Sequence, residues 1–549
     1  MQRSEATSED SFEATCRALV EKIVSGEIDR DDLEAAKLDV CGTYESPKVP
    51  TNPEILEHAD PDEASVVEDV VRRKPVRTAS GVSPIAIMTS PAMCPHGKCL
   101  YCPGGPASEF SSAQSYTGHE PAAARGVQTD YDPYAQVMLR LQQYRRIGHP
   151  VDKAELILMG GTMTARSHDY QTWFVKRALE AMNDFDPDRP PTVDDPAELR
   201  QDPPIAYRYL EEVIAENETA RVRNIGTTFE TKPDWCGPEQ IDRMLALGGT
   251  KVEVGVQTTY DRINREMHRG HGTEASVAAN RRLRDAGFKV GFHMMPGQPG
   301  MTDEMNRQDF ERLFEDPKWR PDYLKIYPTL VVKGTRVYDM WRRGEYEPLD
   351  NDEAADLVAE IKDALPPYVR LQRVQRDIPA DFIEAGVWKS NLRQLARERL
   401  HEMGGSCECI RCREVGHTEI DPETVSLDAF TYEAGGGKEH FISIEDHDND
   451  VLVGFCRLRF PNKPVRQSLQ DAAIVRELHV YGSQVPLETE ESEDWQHRGF
   501  GRTLMARAEE LAREAGYDNL SVISGIGARA YYRDQLGYIQ DGPYVSTRL

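Results

Sequence analysis

No stretch of this chain is both apolar and long. The longest apolar runs, such as 156–159 and 451–455, have the length of strands and fall far short of a bilayer. The N-terminus, MQRSEATSEDSFEATC, lacks the basic start and apolar core of a secretion signal. These absences exclude a membrane span and lead to the expectation of a soluble, cytoplasmic protein. Cysteine is sparse and unevenly placed: of 10, three fall in 94–102 and three in 407–412. In a large cytosolic chain such clusters read as metal sites, not disulfides. Basic charge is also short, the net charge being −27, and Arg greatly outnumbers Lys. The acid is scattered, as on a surface that stays solvated in concentrated salt, and a net value does not set the sign of one cleft. Internal repeats are absent too.

What is present is a chain of 549 residues, 39% hydrophobic, long enough for two or three packed domains. Residues 1–80 read as helical, clearest at 13–23 and 31–38, and end in the basic run Arg72, Arg73, Lys74, Pro75, Val76, Arg77. From residue 85 short apolar runs alternate with charged helical stretches. Strands are expected at 85–89, 156–159, 224–229, 251–257, 289–295 and 322–327, with a seventh at 369–374. This spacing predicts βα units and an α/β fold, a partial (βα) barrel over 81–396. Residues 183–204, rich in Asp and Pro, are expected to be a surface insertion. A cysteine-bearing linker (397–420) leads to a second α/β domain (421–549). That domain has strands at 439–445, 450–460, 473–480 and 519–524, a helix over 498–515 and a short helix from Ala528.

The first cysteine cluster, Cys94, Cys99 and Cys102, follows the first strand with the spacing C-x4-C-x2-C. Three thiolates on one loop hold three irons of a 4Fe–4S cluster and leave the fourth open to a small ligand. This resembles radical S-adenosylmethionine (SAM) enzymes, which bind SAM at that iron. Their usual spacing has one residue fewer, and Tyr101 fills their aromatic position before the last cysteine. On the cysteines alone a zinc knuckle is the alternative. The context favours the cluster. Gly160 and Gly161 end a strand in a turn whose carbonyls suit the SAM ammonium. Glu253 and Gln257 are placed to meet a ribose, and His293, Met294, Met295, Pro296 and Gly297 end a further strand. All lie at strand C-terminal ends, the face where barrels build sites.

In the second domain, Gln496, Gly499, Phe500 and Gly501 precede a regular helix. They resemble the Q/R-x-x-G-x-G/A turn of GNAT acetyltransferases, in which a helix N-terminus receives the pyrophosphate of acetyl-CoA. A lone G-x-G would be an ordinary helix start. The flanks agree with the sharper reading. Glu477, Leu478, His479 and Val480 form a strand able to pair with pantetheine amides. Tyr531 or Tyr532 could contact CoA or protonate a departing thiolate. Cys407, Cys409 and Cys412 supply three soft ligands for a structural zinc between the domains, with His417 or Cys236 as a fourth, or remain free thiols. Arg72–Arg77 with Arg125, Arg140, Arg145, Arg146, Lys153 and Lys325 are candidates for a phosphate-binding surface.

The phrases CPHGKCLYCPGGP, QSYTGHEP, GHPVDKAELILMGGT, RELHVYGS and SGIGARAYYR together closely resemble the catalytic subunit of Elongator, from about Arg72 to Leu549. The resemblance implies a tRNA-modifying enzyme that installs a carboxymethyl group on C5 of the wobble uridine. It implies that Cys94, Cys99 and Cys102 hold the cluster, and that Gly499, Phe500, Gly501, the 477–480 strand and Tyr531 bind acetyl-CoA. Lys153 matches a family lysine that also contacts acetyl-CoA. By the implied mechanism a 5′-deoxyadenosyl radical takes hydrogen from the acetyl methyl. The carbon radical then adds to uracil, and oxidation and thioester hydrolysis follow. The expected partners are tRNA, acetyl-CoA and an electron donor, with no membrane and with room for a homo-oligomer. A protein lysine acetyltransferase and a non-catalytic RNA-binding scaffold are the competing readings.

Overall fold

The computed structural model describes residues 8–30, 32–44, 46, 48–60, 63–71, 81–191, 193, 195–199, 209–375, 377–415, 424–481 and 499–549. Among these no helix is long and apolar enough to cross a membrane.

Four helices, Ser8–Val24, Leu33–Tyr44, Asn52–Glu57 and Ala64–Val71, close on a small core of their own that includes Leu19, Ile23, Val40, Ile55 and Val67. The expected helix 13–23 falls within the first, and 31–38 overlaps the second, which starts at Leu33. This unit meets the rest of the chain through Glu68, which pairs with Arg145 at 3.7 Å.

The barrel strands are β1 (Ser83–Met88), β2 (Lys153–Met159), β3 (Arg223–Thr231), β4 (Lys251–Gln257), β5 (Lys289–Met294) and β6 (Tyr323–Ile326). A short β7 (Val331–Val332) precedes β8 (Arg370–Val374) and pairs with β9 (Ile383–Ala385). The sheet runs β1-β2-β3-β4-β5-β6-β8, parallel throughout, a curled half-barrel with all seven expected strands. Alternation in β4 explains its two faces. Val252, Val254 and Val256 are fully buried under the helices, whereas Lys251, Glu253, Gly255 and Gln257 point inward. The inner face is therefore polar, unlike the apolar filling usual in barrels.

The second sheet comprises β10 (Ser426–Ala434), β11 (Gly437–Asp446), β12 (Val451–Phe460), β13 (Ala472–Val480), β14 (Asn519–Ile523), β15 (Ile539–Asp541) and β16 (Tyr544–Arg548). Its order is β10-β11-β12-β13-β14-β16-β15, and only the β13–β14 pair is parallel. The sequence reading did not anticipate β10, β15 or β16. β10 is an edge strand with both faces partly exposed, so its apolar contrast is weak, and β15 is only three residues long.

Both sheets share one continuous apolar core. The second domain caps the N-terminal mouth of the barrel, because the barrel residues it meets lie at strand starts. A Cβ on Gly525 would sit 2.0 Å from the Ile225 carbonyl oxygen, and the Tyr544 hydroxyl donates to the Ala286 carbonyl at 2.9 Å. Between the sheets lies a buried ion cluster. Asp322, just before β6, accepts from Arg476 at 2.7 and 2.8 Å and lies 3.1 Å from Arg284. Glu439 pairs with Arg284, Arg459 and Arg476 at 2.9, 2.8 and 2.7 Å. Charges this deep persist only when paired.

Candidate functional site

At the C-terminal mouth, the loop after β1 gathers Cys94, Cys99 and Cys102 beside the β2 turn. The Cys99 and Cys102 side chains are buried. Thr162 donates to the Cys94 sulfur at 3.4 Å, and the Ser115 amide to that of Cys102 at 3.2 Å. Arg269 donates to the Cys99 sulfur at 3.4 Å while its other amino group holds the Gly255 carbonyl at 2.6 Å. Burial opposes the charge on Arg269, but Tyr101 and the thiols of Cys99 and Cys94 outweigh it and raise its pKa. Sequence reasoning missed Arg269, which reaches Cys99 across 170 positions with no local signal.

The glycine turn is confined. Gly160 has φ +125°, and a Cβ there would meet the Thr89 hydroxyl at 2.1 Å; Gly161 has φ +75°, with its Cβ position 3.5 Å from the Cys94 sulfur. A cavity open at its mouth is bounded by the cysteines, Gly161 and Thr162, and on its floor by Glu230, Glu253 and His293. Glu253 Oε2 lies 2.9 Å from His293 Nε2 and is also paired with Lys325, whose ammonium is 4.0 Å from Glu230. Burial alone would raise the pKa of Glu253, but Lys325 first and His293 next hold it well below the carboxylate range. Burial raises Glu230, only partly offset by Lys325, and the Tyr116 hydroxyl donates to it at 2.7 Å. Among the described residues, the buried acceptors Glu253 Oε1 and Gln257 Oε1 have no hydrogen-bond partner. Three thiols, a glycine cradle and two orphaned acceptors together fit a 4Fe–4S cluster with a hydroxyl-bearing ligand.

In the second domain Gly499 caps the helix Phe500–Glu514 with φ 82°, a conformation that favours glycine. A Cβ on Gly501 would lie 2.8 Å from the Tyr531 hydroxyl and 4.0 Å from Leu478. The parallel pairing of β13 with β14 ends at Val475–Val522, so Glu477, Leu478, His479 and Val480 run on past β14. That splay beside a glycine-led helix fits a cofactor with a pyrophosphate and an amide-bearing arm. Tyr531 stands at this turn. Tyr532 is 6% exposed and packs between Tyr531 and Tyr538. Gln496 lies outside the described residues.

Lys153 begins β2, at the barrel rim on which the second domain sits, and burial lowers its pKa against the opposing charge of Asp152. Cys407, Cys409 and Cys412 bring their sulfurs within 4.8 Å of one another. Their segment ties the sheets: the Ile410 amide donates to the Val369 carbonyl at 2.9 Å and the Val415 amide to that of Leu452 at 3.0 Å. Lys362 donates to Cys412 at 3.2 Å, His417 lies outside the described residues, and Cys236 is buried in the core elsewhere.

The basic run Arg72, Arg73, Lys74 and Arg77 also lies outside the described residues. Two members of the expected phosphate surface are interior. Arg125 is buried with a guanidinium bond of 2.6 Å to the Ala86 carbonyl, and Lys325 belongs to the Glu253 pair. Arg140 packs over Tyr144 at 3.9 Å, which leaves Arg146 exposed on the same helix.

A parallel half-barrel with three clustered cysteines at its C-terminal mouth, joined to a GNAT-like sheet, defines a radical SAM protein carrying an acetyltransferase-type domain. Residues 89–313 match the radical SAM superfamily, 321–402 the radical SAM C-terminal domain and 410–538 the acetyltransferase (GNAT) family. Residues 12–79 match the ELP3 N-terminal domain. The chain belongs to the Elongator complex protein 3 family. It is 46% identical over 510 residues to a tRNA uridine(34) acetyltransferase of Methanocaldococcus jannaschii, covering 91% of this chain and 90% of that one. It is 39% identical to Elongator complex protein 3 of Schizosaccharomyces pombe, covering 97% and 98%. The solved structure of Methanocaldococcus infernus Elp3 with an N-terminal deletion superposes with a TM-score of 0.73 at 41% identity, covering 86% of this chain and 100% of that one. Membership of the radical SAM superfamily implies a 4Fe–4S cluster and SAM, and acetyl-CoA fits the GNAT domain.

Proposed function

We propose that this protein modifies C5 of the wobble uridine of tRNA, forming 5-carboxymethyluridine from acetyl-CoA. The observation that carries the reading is that a three-thiol site and an acetyl-CoA-type turn are built into one continuously packed body. We assign radical SAM chemistry to residues 81–396 and acetyl-CoA binding to 421–549. Cys94, Cys99 and Cys102 would hold the cluster, and the Gly160–Gly161 turn, Glu253 and Gln257 would hold SAM. When bound, these groups supply a 5′-deoxyadenosyl radical on one-electron reduction. Arg269 stabilises thiolate charge on Cys99, and the orphaned oxygens of Glu253 and Gln257 accept from hydroxyls. In the second domain Gly499, Phe500 and Gly501 receive the pyrophosphate, and the backbone of Glu477, Leu478, His479 and Val480 pairs with the pantetheine arm. Tyr531 and Lys153 stand near the thioester. Cys407, Cys409 and Cys412 bind a structural zinc, and Arg72, Arg73, Lys74 and Arg77 contact tRNA phosphates.

The test is mass spectrometry of wobble nucleosides in tRNA incubated with reconstituted protein, SAM, acetyl-CoA and an electron donor. With deuterated acetyl-CoA, the modified uridine should appear together with deuterated 5′-deoxyadenosine. Acetylated lysine without either product, formed in the absence of SAM, would replace this reading with a protein acetyltransferase.

A further inference from the structure

The two halves of the proposed reaction sit at opposite ends of the half-barrel. The cysteines lie beyond the C-terminal ends of its strands, whereas the splay of β13 faces the N-terminal mouth. Seven residues of β4 separate those levels, roughly 20 Å at the rise of a strand. On β13 the side chains alternate. Leu478 approaches the Gly501 turn, while Glu477 and His479 face a second cavity between the domains. The His479 Nε2 is buried there with no hydrogen-bond partner among the described residues, and burial holds the imidazole neutral, its pKa lowered to about 4. An arm that enters the splay from the helix side therefore emerges into this cavity.

The roof of the lower cavity is one layer of side chains taken from alternate strands: Glu155 (β2), Lys251 (β4), Tyr323 (β6) and Gln372 (β8). Lys251 lies 3.4 Å from both Glu155 and Gln372, and its ammonium is 4.2 Å from the centre of the Tyr323 ring. The ring itself lies flat across Gly291, its register partner on β5, and a Cβ there would be 2.1 Å from two ring carbons. Two residues further along β4 and β6, about 6–7 Å higher, come Glu253 and Lys325, the floor of the cysteine cavity. Two tiers of paired charges around a tyrosine thus stand between the cavities. Apolar filling would be at least as stable, since buried ion pairs seldom outperform well-packed hydrophobic residues.

We propose that the barrel axis is the route by which the acetyl thioester reaches the cysteine end, with Tyr323 the residue that closes it. The inference rests on the proposed use of acetyl-CoA. Gly291 leaves the ring a flat seat, and the cation–π and ion-pair contacts of Lys251 hold it there at modest cost to break. Polar tiers also offer partners to an amide- and thioester-bearing arm in transit. Tyr323 here positions and gates; it does not act on the reacting atoms.

The route is tested with bromoacetyl-CoA on full-length, cluster-loaded protein, by peptide mapping of introduced cysteines. The thiolate displaces bromide and forms a thioether, so labelling needs no turnover. Ile157→Cys lines the lower cavity, and Met159→Cys lies on the same face of β2 in the upper one. Both should be labelled, and excess acetyl-CoA should suppress both at least tenfold. Tyr323→Leu should speed labelling of Met159→Cys at least fivefold and leave that of Ile157→Cys unchanged. If Tyr323→Leu does not fold, Lys251→Met serves in its place. Labelling of Ile157→Cys alone, in every background, would overturn the axial route, and labelling of neither would place the thioester outside the barrel. Labelling of Met159→Cys that acetyl-CoA does not suppress would mean entry from the open mouth and would also overturn it. Wobble-uridine product from the wild-type protein reports on the underlying function independently of these outcomes.

Discussion

Replacing Asp322 with Asn tests whether the ion cluster between the sheets holds the two domains together. Asn keeps the shape of Asp322 but removes its charge and turns an N–H₂ group toward donors. Both Asp322 oxygens accept from Arg476, at 2.7 and 2.8 Å, and one also accepts from the Val290 amide at 2.8 Å. Arg284 and Arg457 lie 3.1 and 3.7 Å away, and all these side chains are at most 2% exposed. Breaking such a buried pair leaves arginine charge uncompensated and costs about 3–5 kcal/mol. An unfolding entropy near 2.1 cal/mol/K per residue gives roughly 1.2 kcal/mol/K for a chain of 549 residues, so the melting temperature should fall by about 3–4 °C. The loss should persist in molar salt, because buried pairs are little screened. Differential scanning calorimetry at low and high salt measures both. The comparison is Asp186→Asn, whose partner Arg221 lies in solvent at 2.5 Å and whose loss should shift melting by less than about 1 °C. Arg476, Arg284 and Arg457 hold the Asp322 carboxyl far below the usual carboxylate range, against the opposing effect of burial. Its stabilisation is therefore complete above about pH 4, where unfolded Asp is ionised, and is lost as pH falls below that. An Asp322→Asn shift under 1 °C, or one abolished by salt, would refute the argument.

Cys99→Ser should remove iron and SAM cleavage while acetyl-CoA affinity, read by calorimetry, stays within twofold. Gly501→Val should weaken acetyl-CoA binding more than tenfold, over about 1.4 kcal/mol, because even the first carbon of the new side chain displaces the Tyr531 hydroxyl. Metal analysis of the double variant Cys409→Ser, Cys412→Ser should show zinc lost and iron retained. His479→Gln should flatten the fall in stability between about pH 6.5 and 4: a neutral buried imidazole, its pKa lowered to about 4, loses its contribution as acid protonates the unfolded chain first. Neutralising Arg72, Arg73 and Lys74 should weaken tRNA binding and lower the slope of affinity against salt by roughly one per lost phosphate contact.

The features legible in the sequence are those written in neighbouring residues. Alternation in KVEVGVQ marks a strand with one apolar face, and Gly160–Gly161 and Gly499–Gly501 mark turns where only glycine fits. The spacing of Cys94, Cys99 and Cys102 places three thiols on one loop. From such signals all seven barrel strands and both glycine turns could be located. What periodicity encodes is the face a side chain takes, not the partner it finds there. Only the folded chain decides that Lys325 neutralises Glu253 across 72 positions instead of meeting phosphate, and that Arg269 reaches Cys99 across 170. The same holds for Arg125, whose charge suggested surface but whose guanidinium caps the β1 backbone, and for Tyr532, sealed in the core one residue from the exposed side of the turn. The docking of the second domain on the N-terminal mouth is likewise a property of tertiary structure. It depends on Asp322, Glu439 and four arginines scattered from 284 to 476 burying their charges together, and burial of charge is stable only when all of them arrive.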